Sequence, residues 1–445
     1  MEEKKKIPPT ISQEDWDTCI NVLQTISKHP DAILEELHYK TLITKLYKTA
    51  RKRIRKENLA RKKQADQALT NETYIFQRND ETVKQLPTAF AKRNKHLQTP
   101  KNCYICKKNY YDLHFFYHLI CPDCAALNYQ KRQKTTDLSN RIALITGGRI
   151  KIGFELALMM LRDGAEVIVT TRFPEDASRR YAAQNDYEQW KNRLHIYGLD
   201  FRNLVGVEAF ITHIQERFDY LDVLINNAAQ TIKRPLEFYQ HLIAQEKKNY
   251  LLEVAQSTKG LVLSHPYFPN NALDKDGIQI DLRPKNSWTT KLEEVSTLEM
   301  LEVQLVNTTV PFMLNSSLKK MLLQSPNERK FIVNVSAVEG QFNRIYKSAN
   351  HPHTNMAKAA LNMMTRTAAQ DYALNNIFMT SVDTGWITDE KPHPSKANMR
   401  QKGFVTPLDI VDGAARVYHP IVAGLEEEKQ PYFGVFLKDY RVVEW

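Results

Sequence analysis

The sequence predicts a doubly wound parallel α/β sheet over residues 140–445, preceded by a helical segment and a small cysteine module. Three observations predict it. Short apolar runs rich in β-branched residues recur through that stretch, and helix-period segments lie between them. The first run ends in glycines that lead directly into a helical pattern.

The strands are read in order as RIALIT (141–146), AEVIVTTR (165–172), RLHIYGLD (193–200), LDVLINNAA (221–229), KFIVNVS (330–336) and NIFMTSVDTG (376–385). A helix over 154–162 follows the first of them. Upstream, residues 11–68 read as helical, with Ile33, Leu37, Leu46, Ala50 and Ile54 at three- or four-residue spacings or their multiples and Asp31 as an N-cap. The periodicity is lost from 70 to 100, which suggests a linker. Domain boundaries follow at 1–100 (basic, helical, with linker), 101–130 (cysteine module) and 140–445, the last after a short polar connector. There is no internal repeat.

The chain has 445 residues, 42% of them hydrophobic and 25% charged, so more than one folding unit is expected. No apolar run approaches a membrane span, and MEEKKKIPPT lacks the apolar core of a secretory signal, so an intracellular, cytoplasmic chain is expected. Of the net charge of +11, residues 1–140 carry +10 (26 Lys and Arg against 16 Asp and Glu). The basic run 51–63 therefore admits an acidic partner, nucleic acid included. A solvated helix face or a subunit contact accounts for it equally simply.

Four of the five cysteines form Cys103-x-x-Cys106 and Cys121-x-x-Cys124, with 14 residues between the pairs. Two such knuckles supply four thiolates to one tetrahedral zinc, and four thiolates leave no open position for substrate, so the metal is expected to be structural. His114 and His118 lie between the pairs as substitute ligands or, more simply, as packing residues.

TGGRIKIG (146–153) sits between a strand and a helix, where free amides and a positive dipole end meet a pyrophosphate. Thr146, Gly147, Arg149, Ile152 and Gly153 are the candidate contacts. The second strand ends Thr170-Thr171-Arg172 without a carboxylate to hold ribose hydroxyls. Arg149, Lys151 and Arg172 are placed to surround a 2′-phosphate, so the turn favours NADP(H) over NAD(H).

On these residues the segment 140–445 resembles the short-chain dehydrogenase/reductase superfamily, a Rossmann fold. Its Thr-Gly-x-x-x-Gly-x-Gly turn matches Thr146, Gly147 and Gly153, with Lys151 at the middle glycine. Its adenine-contacting aspartate matches Asp200, and its Asn-Asn-Ala-Gly motif matches Asn226, Asn227 and Ala228, with Ala229 last. Its helix asparagine matches Asn307, its serine Ser336, its lysine Lys358, and its Pro-Gly segment Thr384-Gly385. The resemblance implies an oxidoreductase acting on a small carbonyl or alcohol, assembled as a homo-oligomer. Ser336 would polarise the oxygen, and Lys358 would grip the nicotinamide ribose.

Two departures stand out. The family's tyrosine, four residues before the lysine, is Thr354 here, and an alcohol cannot do that acid work unaided. Tyr346, His351 and His353 are the nearby substitutes, His353 first for geometry and Tyr346 second, and a site with no dedicated acid is the remaining reading. The second departure is length: 77 residues separate Ala229 from Asn307, so an insertion near 230–287 is expected beside the ligand crevice, as a lid or an oligomer contact. A non-catalytic dinucleotide-binding protein, engaging a protein or nucleic acid through its basic N-terminal region, is the competing function.

Overall fold

The six apolar runs become the six central strands of one sheet, in a computed structural model that describes residues 10–29, 31, 37–77, 95–246, 266–269, 272–274, 277–426 and 430–445. The expected positions at Ile33 and part of the insertion fall outside these residues, as does most of the expected linker. The chain divides into two compact units, Met1–Ala68 and Leu69–Trp445.

The first unit holds the helix Gln13–Lys28, capped by Ser12 accepting from the Asp15 amide at 3.1 Å, and most of the helix Leu37–Asn71. The basic run 51–63 is exposed along its whole length.

In the second unit a hairpin of β1 (Lys95–Asn102) and β2 (Asn109–Leu113) opens the cysteine module. The main sheet contains β3 (Ile142–Thr146), β4 (Glu166–Thr171), β5 (Leu194–Gly198), β6 (Val223–Asn226), β7 (Lys330–Ser336), β8 (Ile377–Asp383), β9 (Phe436–Lys438) and β10 (Arg441–Val443). Their spatial order is β10-β9-β8-β7-β6-β3-β4-β5, and every pairing is parallel except β9 with β10. The order reverses between β3 and β6, which opens a crevice at the carboxyl ends of the strands.

Both faces are covered, so the middle strands are buried along their length and read as mainly apolar runs rather than alternating ones. Ala143, Ile145, Val167, Val169 and Val333 pack under the helices Lys151–Arg162 and Ile410–Leu425. Leu144, Ile168, Leu224, Ile332 and Met379 pack under Leu204–Arg217, Val310–Ser317 and Pro352–Ala373. Among the described residues no helix is long and apolar enough to cross a membrane.

The cysteine module has its own core of Leu97, Tyr110, Leu113, Phe116, Tyr117 and Ile120, to which Val405 and Leu408 also belong. Polar bonds fix it further. Tyr117 Oη donates to Asp412 Oδ1 at 2.6 Å, Arg132 reaches Asp409 and Asp412 at 3.0 Å each, and Arg416 Nη2 donates to Asn128 Oδ1 at 2.6 Å. Tyr117, Asn128, Asp412 and Arg416 are buried and Arg132 and Asp409 nearly so, and each charge here has an opposite charge or a hydrogen-bond partner.

Candidate active site

A cleft of about 690 Å³ runs along the carboxyl edge of the sheet. One end is the glycine turn. Thr146 is fully buried and does not line the cleft; its Oγ1 accepts from the amides of Asn227 and Ala228 at 2.9 Å each, which ties the turn to the end of β6. Asn227 Nδ2 donates to the carbonyls of Thr146 and Gly147. A Cβ at Gly153 would lie 2.2 Å from the Gly147 carbonyl oxygen and 2.5 Å from Asn227 Nδ2, so only glycine permits this approach. Lys151 stands at the middle glycine position with φ +55, the left-handed conformation a glycine adopts freely, and its ammonium lies 3.5 Å from Glu390 across the cleft. Gly147, Arg149, Ile152 and Gly153 line the cleft.

Beside the turn, Arg149 Nη1 donates to Asp176 Oδ2 at 2.6 Å, whereas Arg172 Nη2 donates to the phenol of Tyr239 at 3.0 Å. Arg172, Arg234 and Arg149 together hold the Tyr239 phenol below its usual range although burial opposes them. Asp200 is gripped by Arg202, Nη2 to Oδ2 at 2.7 Å. Tyr239, Arg234 and His241 come from the insertion, and among the described residues the buried Arg234 Nε has no hydrogen-bond partner. The beginning of the insertion packs on Phe173 through Leu242, Leu236 and Ile243 and so roofs this end of the cleft. The pattern of the sequence did not single out these three residues; a lone aromatic–basic cluster in an insertion was the available signal.

At the other end, Ser336 closes β7 and Lys358 lies on the helix Pro352–Ala373; both are buried and both line the cleft. Lys358 Nζ donates to the Val335 carbonyl at 2.8 Å, and burial pushes its ammonium down to about 8 against the opposing charge of Glu339. Among the described residues, Ser336 Oγ and Thr354 Oγ1 are buried without hydrogen-bond partners, and Thr354 sits one helical turn before Lys358. Ala228 and Gly385 also line the cleft, the latter at φ +77.

The structure does not bring the other predicted residues into it. Asn307 lies in a π turn, Leu305–Thr309, with both amide atoms spent on the Gln230 backbone at 2.7 and 3.1 Å. His353 is 1% exposed, outside the cleft, with its Nε2 3.5 Å from Glu299. Tyr346 is 89% exposed and likewise outside. Two residues not anticipated do line the cleft: Asp383, at the end of β8, and Tyr104, from the cysteine module, whose phenol oxygen accepts from the Trp386 amide at 3.0 Å.

The sulfurs of Cys103, Cys106, Cys121 and Cys124 all lie within 4.8 Å of one another, a set that can hold a metal ion. The Cys121 amide donates to Cys103 Sγ at 3.3 Å, the kind of support that holds a thiolate in place. The two histidines of the module are turned elsewhere: His118 Nε2 to the Val405 carbonyl at 3.1 Å, His114 Nδ1 to the Phe116 amide at 3.1 Å.

Residues 141–247 match the family model for short chain dehydrogenases. The chain is 32% identical over 338 residues to an uncharacterized protein of Acanthamoeba polyphaga mimivirus, covering 72% of this chain and 71% of that protein. It is 23% identical over 316 residues to carbonyl reductase [NADPH] 1 of Sus scrofa, covering 69% and 95%. Among solved structures, the NADPH-bound carbonyl reductase from chicken fatty liver aligns with a TM-score of 0.45 and 19% identity, over 69% of this chain and 99% of that one.

Proposed function

Because this chain belongs to the short-chain dehydrogenase family, we propose that it is an NADP(H)-dependent oxidoreductase acting on a small carbonyl or alcohol. The observation that carries the proposal is the single cleft that joins the glycine turn to Ser336 and Lys358. The residues present fit a dinucleotide: Gly153 leaves the room a pyrophosphate-binding turn needs, and Ser336 Oγ and Arg234 Nε, without partners among the described residues, are open to polar groups. Arg172, whose guanidinium donates to the Tyr239 phenol, is the cation for a 2′-phosphate, with Arg149 and Arg234 beside it. Gly147, Ile152, Asn227, Ala228 and Gly385 surround the rest, and Asp200 the adenine end. The NADPH named for the porcine relative supports this choice.

A bound reduced nicotinamide supplies a hydride. Ser336 then donates a hydrogen bond to the substrate oxygen, and the Lys358 ammonium holds the ribose and offsets developing negative charge. The cysteine cluster holds zinc, with a structural role because its four sulfurs fill the coordination shell. Asn307 acts by fixing the Gln230 backbone at the cleft wall rather than by touching substrate.

The second reading, a dinucleotide-binding protein without turnover, is favoured by one observation, Thr354 in place of the family's tyrosine. Oxidation of NADPH followed at 340 nm with a panel of aldehydes, ketones and quinones tests the proposal. Turnover of any of them supports the enzyme, and saturable binding with no turnover across the panel supports the second reading.

A further inference from the structure

The proposed reaction needs a proton donor, and no substitute suggested by the sequence lines the cleft. The sheet itself delivers one candidate. Ser336 and Asp383 are direct partners in the parallel register of β7 and β8, the last pair of that ladder. Two residues earlier on each strand, Asn334 Nδ2 and Ser381 Oγ both donate to Thr365 Oγ1, at 2.9 and 2.8 Å, on the helix Pro352–Ala373. Side chains alternate with a period of two, so Ser336 and Asp383 leave the sheet on that same face. Lys358 lies on the same helix, two turns before Thr365, and is tied to the Val335 carbonyl. The Ser336 hydroxyl, the Lys358 ammonium and the Asp383 carboxyl thus belong to residues that are all buried and all line the cleft, two of them paired at the ends of β7 and β8.

We propose that Asp383 is the proton donor of this site, taking the place left by the family's tyrosine. The inference rests on the oxidoreductase reading above. A bound reduced nicotinamide would supply the hydride to the carbonyl carbon, and the π pair of the C=O bond would move to oxygen. That oxygen takes the proton from the Asp383 carboxyl, forming the alcohol O–H, and the carboxylate regains a proton from water. In the oxidative direction the same carboxylate accepts the alcohol proton.

The surroundings keep the acid available. Burial pushes the Asp383 carboxyl up to about 6; Asp439 and Glu339 add to this, while Lys438 and the Val338 amide, 3.1 Å from Oδ1, oppose it. Tyr104, from the cysteine module, faces it as well. An acid titrating near the working pH is well matched to proton transfer.

The test uses the full-length chain and its Asp383→Asn and Asp383→Glu variants, with an aromatic α-diketone and a medium-chain aldehyde as probes. Asparagine keeps the shape and removes only the transferable proton. NADPH affinity, read by nucleotide fluorescence, is expected to be unchanged in Asp383→Asn, while kcat for reduction falls by about a hundredfold or more. The decline of wild-type kcat above pH 6 is expected to disappear in Asp383→Asn and to return, shifted, in Asp383→Glu. Undiminished kcat in Asp383→Asn, with NADPH bound and the same pH profile, overturns the assignment and leaves the oxidoreductase reading standing. Failure of the wild type to bind NADPH sinks that reading, and the assignment with it.

Discussion

Replacing Asp383 with asparagine should also change stability, in a way that depends on pH and not on turnover. The folded-state carboxyl titrates near 6 instead of near 3.8, so the native protein holds this proton more tightly than the unfolded chain does. Its protonated form therefore contributes stability that is fully present below about pH 4 and is lost as pH rises through about 6. The full loss is about 3 kcal/mol, and about 1.5 kcal/mol of it falls between pH 5 and pH 8. Asparagine cannot ionise and loses nothing over that range. Urea unfolding of both proteins, followed by the fluorescence of the buried Trp190, gives the stability difference at each pH. Histidines and other acids titrate alike in the two proteins and cancel in that difference. The expected result is that Asp383→Asn gains on the wild type by about 1.5 kcal/mol from pH 5 to pH 8. A difference that stays constant across that range would refute the claim that this carboxyl is buried and proton-bearing.

Three other outcomes are expected. Gly153→Ala places a methyl 2.2 Å from the Gly147 oxygen and should cost about 1–3 kcal/mol, visible as a lower Tm together with lost nucleotide binding; normal binding would contradict the turn's role. Elemental analysis should find one zinc per chain, absent in Cys103→Ser; because the module's Tyr104 lines the cleft and accepts from the Trp386 amide there, zinc removal should weaken NADPH binding as well as lower the Tm. Arg172→Ala should reduce the preference for NADPH over NADH by about tenfold, the effect of about 1.4 kcal/mol of lost phosphate contact, and an unchanged preference would remove Arg172 from the phosphate site.

The six strands β3 to β8 were legible because each is a short, mainly apolar run between turn residues, as a sheet largely covered on both faces requires. β9 and β10 were not: each is three residues long, and they are joined by Asp439 and Tyr440 at positive φ, where no glycine marks the turn. The four cysteines were legible from spacing alone. That their module reaches the cleft was not, since Tyr104 meets Trp386 across 282 residues of sequence.

The candidate acids show the limit most clearly. His353 and Tyr346 were chosen for nearness in sequence to Lys358, but five residues along a helix turn a side chain by about 140° from the lysine's face. Thr354, at four residues, stays on that face and lines the cleft. Asp383 was written in the sequence as a carboxylate ending an apolar strand, yet its pairing with Ser336 becomes visible only once β8 is set beside β7.

Calorimetric titration of the full-length protein with NADPH, and separately with NADH, is the most direct measure of the central claim. The cleft predicts one saturable site per chain that prefers NADPH and is weakened at least about tenfold by Lys358→Ala. No saturable heat with either nucleotide would contradict it.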